Sequence, residues 1–260
     1  MRVALLLLVP FVLLTGCPRP LPPGPQGDAE ARDLVFRARE AHGTDAYESA
    51  EMLRFDFRGV AFEASRHRSG HTHYRRTTLD DQGRTVIDEL ADGGVARTVA
   101  GEPAALSDDE AARIHTAVNS VVYFATLPAA LTDAAVRARA LGVDSVMGQP
   151  HRLLEVTFDQ EGGGDDWEDR YLYWLHPEQG TIEYLAYSYR LAPGADGPTD
   201  TGHRFRRVIR VGDADGMRIQ DYENLTADSL ARLEDYPAAY EAGRTTAVSD
   251  VRTDNARLVR

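Results

Sequence analysis

A chain of 260 residues with 41 acidic and 29 basic side chains carries a formal net charge of −12. That balance excludes a general basic surface for nucleic acid or for an anionic membrane face. All 29 basic residues are arginine, so a lysine Schiff base, a P-loop lysine and a lysine general base are excluded as well.

At the amino terminus, Arg2 precedes an apolar stretch at 3–13 and then Leu14-Thr15-Gly16-Cys17. The stretch is too short for a transmembrane helix, which needs about 20 residues to cross a hydrocarbon core of roughly 30 Å, and it reads instead as the h-region of a signal peptide. Small residues directly before a cysteine fit the bacterial lipobox. An ordinary secretory signal with a chance cysteine is the alternative. Cys17 is the only cysteine and cannot form an internal disulfide, which agrees with a dedicated use. Two or three acyl chains on it, at roughly 0.8 kcal/mol per buried methylene, make a stable anchor. Pro18 follows where enteric bacteria place the aspartate that retains lipoproteins at the inner membrane, so the expected location is the outer membrane, facing the periplasm.

The segment Pro18-Arg19-Pro20-Leu21-Pro22-Pro23-Gly24-Pro25 reads as an extended tether. The expected organisation is a lipoprotein signal peptide at 1–16, a lipidated cysteine and tether at 17–27, and a single domain at 28–260. A monomer is expected, with the membrane as partner through Cys17.

Within 28–260, Asp28 is placed to cap a helix whose Ala31, Leu34, Ala38 and Ala41 recur at helical spacing, and Gly43 to end it. From Ser49 the period changes to two: Leu53, Phe55 and Phe57 alternate with Met52, Arg54 and Asp56. Further strands are expected at 60–67, 71–78, 85–90 and 95–100, with turns at Ser69-Gly70, Gln82-Gly83 and Gly93-Gly94. Ser107-Asp108-Asp109-Glu110 is a capping box opening a helix at 107–126. Its Ile114, Val118, Val121, Val122 and Ala125, followed by Tyr123 and Phe124 around its end, mark it as buried. A short helix is expected at 132–140. Strands resume at 152–158, 169–175, 182–189, 205–211 and 217–225, and a last helix is expected from 228, broken near Pro237. The tail from Thr245 can add an edge strand.

These elements predict an α+β fold: a strongly curved open antiparallel sheet, or half-barrel, with a central helix and flanking helices. Tyr171, Tyr173 and Leu175 oppose Leu172 and Trp174, and Ile182, Tyr184 and Ala186 oppose Leu185, Tyr187 and Tyr189. Strands apolar on both faces are covered on both faces, by helices or by ligand.

Several pieces of the chain resemble one family. Ala41-His42-Gly43, Phe55-Asp56-Phe57-Arg58-Gly59, Val118-Asn119-Ser120-Val121-Val122-Tyr123-Phe124, Leu127-Pro128, Glu161-Gly162-Gly163-Gly164, Tyr184-Leu185-Ala186-Tyr187-Ser188-Tyr189 and Arg204-Phe205-Arg206 are similar, in order, to a domain-of-unknown-function family of bacterial envelope lipoproteins. That family resembles lipoprotein-sorting proteins of the LolA/LolB type in fold. The resemblance implies an open half-barrel closed by helices and able to hold acyl chains, and it transfers no activity. His71, His73 and Glu183 depart from the pattern.

Three constellations are candidates for chemistry. His67, His71 and His73, with Glu63 at most to add, could approach a metal or form a solvated hairpin tip. The loop from Gly162 to Asp169 offers oxygen ligands for a hard cation, although three consecutive glycines serve a tight hairpin equally well. Arg204 and Arg206 share one strand face and can hold a carboxylate or phosphate, or form an ion-pair ladder with Asp221 or Glu223. No G-x-S-x-G, H-E-x-x-H, Walker or dinucleotide sequence is present, so no catalytic residue, metal or cofactor is assigned. The expected function is to bind or carry an apolar ligand (an acyl chain, lipid or lipoprotein) in a pocket lined by Phe55, Phe57, Tyr74, Val118, Val122, Trp174, Tyr184, Arg204 and Arg206. The alternative is a non-catalytic structural or interaction protein; an enzyme ranks third.

Overall fold

The structure is a computed structural model that describes residues 25–67, 71–91, 94–161, 167–190, 201–227, 230 and 232–260. Cys17, most of the tether and the glycines 162–164 lie outside the described residues.

In chain order, a two-residue strand β1 (Gln26–Gly27) precedes helix α1 (Ala29–Ala41) and helix α2 (Thr44–Ser49). Strands β2 (Met52–Phe57), β3 (Val60–Arg66), β4 (Thr72–Leu79), β5 (Thr85–Ala91), β6 (Gly94–Val99) and β7 (Glu102–Ala104) follow as a meander. Helix α3 (Asp108–Thr126) and a 3₁₀ turn, Ala129–Thr132, lead to β8 (Val136–Val146), β9 (Gln149–Phe158), β10 (Arg170–Leu175), β11 (Ile182–Arg190), β12 (Thr201–Ala214) and β13 (Met217–Thr226). After a second 3₁₀ turn, Leu233–Asp235, come α4 (Tyr236–Glu241), β14 (Thr246–Val251) and β15 (Thr253–Val259).

Among the described residues these strands form two open curved sheets. An eight-stranded sheet runs β1-β8-β9-β10-β11-β12-β13-β14, and a seven-stranded sheet runs β15-β2-β3-β4-β5-β6-β7. All pairings are antiparallel except that of β1 with β8. The expected half-barrel is thus built from two sheets joined at a corner. Only Arg252 separates β14, on the edge of one sheet, from β15, on the edge of the other. Asp221 of β13 fastens that corner by accepting from the Thr253 N–H at 2.9 Å.

Local chemistry explains the meander. Four hairpins turn through a residue pair with positive φ at both positions: Arg58-Gly59, Ala100-Gly101, Met147-Gly148 and Asp215-Gly216. Two-residue turns of this kind match the right-handed strand twist and favour glycine second. Asp28 caps α1 by accepting from the Ala31 N–H at 2.7 Å, and the Ser107/Glu110 capping box opens α3 as its sequence predicts.

Two expected helices differ. Residues 132–140 enter β8 rather than a helix, because the alternation of Val136, Ala138 and Ala140 with Arg137 and Arg139 is read out by pairing with β9. Tertiary pairing overrides the helical preference of alanine and arginine there. Of the last expected helix, residues 228, 229 and 231 lie outside the described residues; the described helix begins at Tyr236, and Pro237 lies in its first turn, where a missing N–H costs nothing.

Three clusters make the core. In the first, α1 packs Ala31, Leu34, Val35 and Ala38 against Leu154, Val156, Tyr173 and Leu185 of the eight-stranded sheet. In the second, Ile114, Val118, Val122 and Ala125 of α3 pack against Leu53, Phe55, Phe62 and Ala64 of the other sheet. The third lies on the far face of the eight-stranded sheet, where Leu172, Trp174, Ala186 and Phe205 meet Leu233 and Tyr236. Strands β10 and β11 are therefore covered on both faces.

Candidate functional site: a cavity between the sheets

Between the two sheets and α3 lies a cavity of about 680 Å³. Helix α3 supplies Thr116, Asn119, Ser120 and Tyr123, a stripe at helical spacing turned away from its buried Val118 and Val122. The seven-stranded sheet supplies Phe57, Arg66 and Tyr74, and the eight-stranded sheet Tyr171, Tyr187, Tyr189, Arg204, Arg206 and Tyr222.

One wall is aromatic. The ring of Tyr187 stacks on Tyr171 at 5.3 Å and meets Phe124 at 5.1 Å, while Tyr123 lies 5.5 Å from Tyr171. The hydroxyls of Tyr123 and Tyr173 are hydrogen-bonded at 2.7 Å. Burial pushes the hydroxyls of Tyr123, Tyr173, Tyr187 and Tyr222 above the ordinary tyrosine range, so they act as neutral phenols.

The other feature is charge. Although the chain is acidic overall, the lining holds Arg58, Arg66, Arg190, Arg204 and Arg206 against Asp133 and Asp169. Arg66 pairs with Asp133 and stands 3.8 Å from Glu48, which in turn binds Arg39 at 2.7 Å. Burial raises the Asp133 carboxyl, and Arg66 opposes that rise. Arg190 pairs with Glu168. Arg206 is different. Only 7 % exposed, it stacks its guanidinium 3.6 Å over the Phe124 ring and donates from Nη2 to the Tyr187 hydroxyl at 2.9 Å. Its Nε points to Asn224 Oδ1 at 3.4 Å, and its Nη1 has no hydrogen-bond partner among the described residues. Among the described residues no carboxylate lies within 4.0 Å of it.

Residues 62–253 match the profile of DUF6503, a family of unknown function, and so take in α3 and nearly all of the cavity lining. The chain belongs to the DUF6503 family. No curated protein matches it. Solved structures that align with this DUF6503 member include a domain described as that of an outer membrane lipoprotein-sorting protein from Vibrio parahaemolyticus, at 9% identity and a TM-score of 0.40, covering 88% of this chain and 93% of that one. A DUF1329 family protein from Desulfovibrio piger aligns at 10% identity and a TM-score of 0.38, covering 86% and 92%. The Mycobacterium tuberculosis lipoprotein LppX aligns at 10% identity and a TM-score of 0.24, covering 60% and 87%.

Of the residues expected to line a pocket, the DUF6503 chain brings Phe57, Tyr74, Arg204 and Arg206 to the cavity. Phe55, Val118 and Val122 are buried behind it in the second core cluster. Trp174 and Tyr184 are a correction: they pair across β10 and β11 on the far face, in the cluster under α4. Register decides this, because Tyr184 pairs with Arg207 while Leu185 pairs with Arg206, so Tyr184 and Arg206 point to opposite faces. Arginines, Asn119, Ser120, Gln220 and Asn224 share the lining with the aromatics.

An ion-pair ladder with Glu223 and Asp221 forms on the outer face, but through Arg207 at 2.9 Å and Arg210 at 2.5 Å rather than through Arg204 and Arg206. A bulge at Ile209 puts Arg210 on the face of Arg207, leaving Arg204 and Arg206 inside. In the histidine hairpin, the His67 N–H donates to the His71 carbonyl and His73 Nε2 stands 3.8 Å from Glu89. Among the described residues no three His, Cys, Asp or Glu side chains group as a metal set. Of the acidic loop, residues 162–166 lie outside the described residues, whereas Asp169 is buried and lines the cavity.

Sequence reasoning missed Tyr123, Tyr171, Tyr187 and Tyr222. The available signal was the stripe Thr116, Asn119, Ser120, Tyr123, polar to aromatic residues at helical spacing on a helix otherwise marked as buried.

Proposed function

We propose that this DUF6503 chain is a lipid-anchored lipoprotein of the bacterial envelope, held at the outer membrane through acylated Cys17, and that it binds or carries a ligand with an acyl chain in the cavity between its sheets. Residues 1–16 are then the signal peptide, 17–27 the anchor and tether, and 28–260 one ligand-binding domain. The observation that carries this reading is the cavity itself. Its volume of about 680 Å³ lies within the range of roughly 300–1,000 Å³ usual for small-molecule sites, and one wall is a continuous set of aromatic rings.

Native mass spectrometry of the full chain, extracted from the envelope in mild detergent, tests it. The expected result is a lipid-sized adduct of discrete mass that a fluorescent fatty acid displaces. A chain that carries no adduct and takes up no probe would leave the structural role standing instead.

A further inference from the structure

We infer that Arg206, with the Tyr187 hydroxyl and the charge of Arg204, forms a receptor for the anionic headgroup of an amphiphile, a carboxylate or a phosphate, whose tail lies against the aromatic wall. This rests on the ligand-binding reading of the cavity and names the chemistry of its polar end.

Four observations lead to it. First, Arg206 is a permanent cation with 7 % exposure and no carboxylate within 4.0 Å among the described residues. A buried charge without a counter-charge is costly, and buried cations are ordinarily paired. Its neighbour in sequence, Arg207, has such a partner in Glu223 on the other face, whereas Asp169, which lines the cavity beside Tyr171, forms no ion pair with Arg206.

Second, the guanidinium is held but not saturated. Phe124 beneath it, the Tyr187 oxygen and Asn224 Oδ1 fix its plane, while among the described residues Nη1 has no hydrogen-bond partner. Arginine offers its donors in a planar fork matched to carboxylate and phosphate oxygens, and an orphan donor on a fixed fork is half of such a clamp.

Third, Tyr187 accepts from Arg206 and so keeps its own proton to donate. Arg204, two residues along the same strand face, sits over the Tyr189 ring at 5.2 Å, donates to the His203 carbonyl and, among the described residues, has no carboxylate partner, so it adds a second positive charge to the lining near Arg206. Fourth, the surface next to these donors is the Phe124, Tyr171 and Tyr187 wall, which suits a hydrocarbon tail and not a free inorganic ion. A polar end and an apolar wall in one cavity specify an amphiphile.

The test uses the full chain in neutral-lipid nanodiscs, with empty nanodiscs as blank. Its probes are decanoate and decyl phosphate, their neutral counterpart decanol, and inorganic phosphate. A charged hydrogen bond of this kind corresponds to a preference of about ten- to a hundredfold, so wild type is expected to bind both anionic amphiphiles that much more tightly than decanol. Arg206→Met is expected to bring the ratio close to one, chiefly through loss of the anionic probes. Tyr187→Phe, which removes a single oxygen and is the safer variant for folding, is expected to lower the ratio several-fold. Arg207→Met, on the outer face, is expected to leave it unchanged.

Equal binding of decanoate and decanol by wild type overturns the headgroup receptor while leaving the acyl-chain cavity in place. Failure of every probe overturns both. Inorganic phosphate binding as tightly as decyl phosphate overturns the amphiphile and identifies a site for a free anion.

Discussion

Mild acid is expected to destabilise this protein through one buried histidine. His42 ends α1, is 1 % exposed, and joins three elements: its carbonyl accepts from the Arg218 N–H of β13 at 2.9 Å, and its Nε2 accepts from the Ile182 N–H of β11 at 3.1 Å. A ring nitrogen that accepts cannot also carry a proton. Burial first, and then the nearby Arg218 charge, lower its pKa from 6.5 to about 3. The sign follows directly. The unfolded chain binds a proton at this residue below about pH 6.5 and the folded chain does not, so the stabilisation is complete above pH 6.5 and is lost progressively toward pH 3. At about pH 5 the loss relative to near-neutral pH comes to about 2 kcal/mol, with a limiting slope of about 1.4 kcal/mol per pH unit. His42→Gln retains an acceptor and removes the titration. Urea unfolding of both proteins across this pH window is the assay. His203, held below its ordinary value by burial, contributes a slope of the same sign to both, so only their difference reports His42. Parallel stability curves for wild type and His42→Gln would refute the reasoning.

Two further outcomes follow from the geometry. Gly43→Ala would place a Cβ 1.9 Å from the Gly216 carbonyl oxygen at a φ of +63°, and a loss of about 3 kcal/mol or more is expected in thermal unfolding. Gly83→Ala, at φ +74° with open space around it, is expected to cost only about 1 kcal/mol. If Cys17 carries the anchor, Cys17→Ser will move the chain from the detergent to the aqueous phase on phase partitioning, and retention of the mutant in detergent would refute the assignment.

The strands of the fold were legible wherever a single face is buried, because period two in Leu53, Phe55 and Phe57 survives any choice of register. Helix α3 was legible because a capping box is a local device that tertiary contacts do not alter. The faces were not. Strands β10 and β11 carry large apolar residues on both sides, so pattern alone could not say whether Tyr184 or Tyr187 faces the cavity, and the cross-strand partner of Arg206 decides it. The segment that became β8 was misread because its composition favours a helix and its partner strand lies further along the chain. The mixed character of the lining was concealed for a related reason. Val118 and Val122 dominate the sequence impression of α3, yet they serve the core, and the cavity meets the quieter stripe of Asn119, Ser120 and Tyr123.

The parallel pairing of β1 with β8 fixes where the chain leaves its amino-terminal segment. Gln26 is opposite Arg137, and the neighbouring Ala135 and Val136 are part of the cavity wall. Cys17 is nine residues before Gln26, a contour length of at most roughly 32 Å. If Cys17 is acylated, its anchor lies within that length of a strand whose neighbours line the cavity. A chain anchored in that way stays within that contour length of its leaflet. Any handover must then take place between the leaflet that holds it and whatever comes within reach of a leash about as long as the bilayer core is thick.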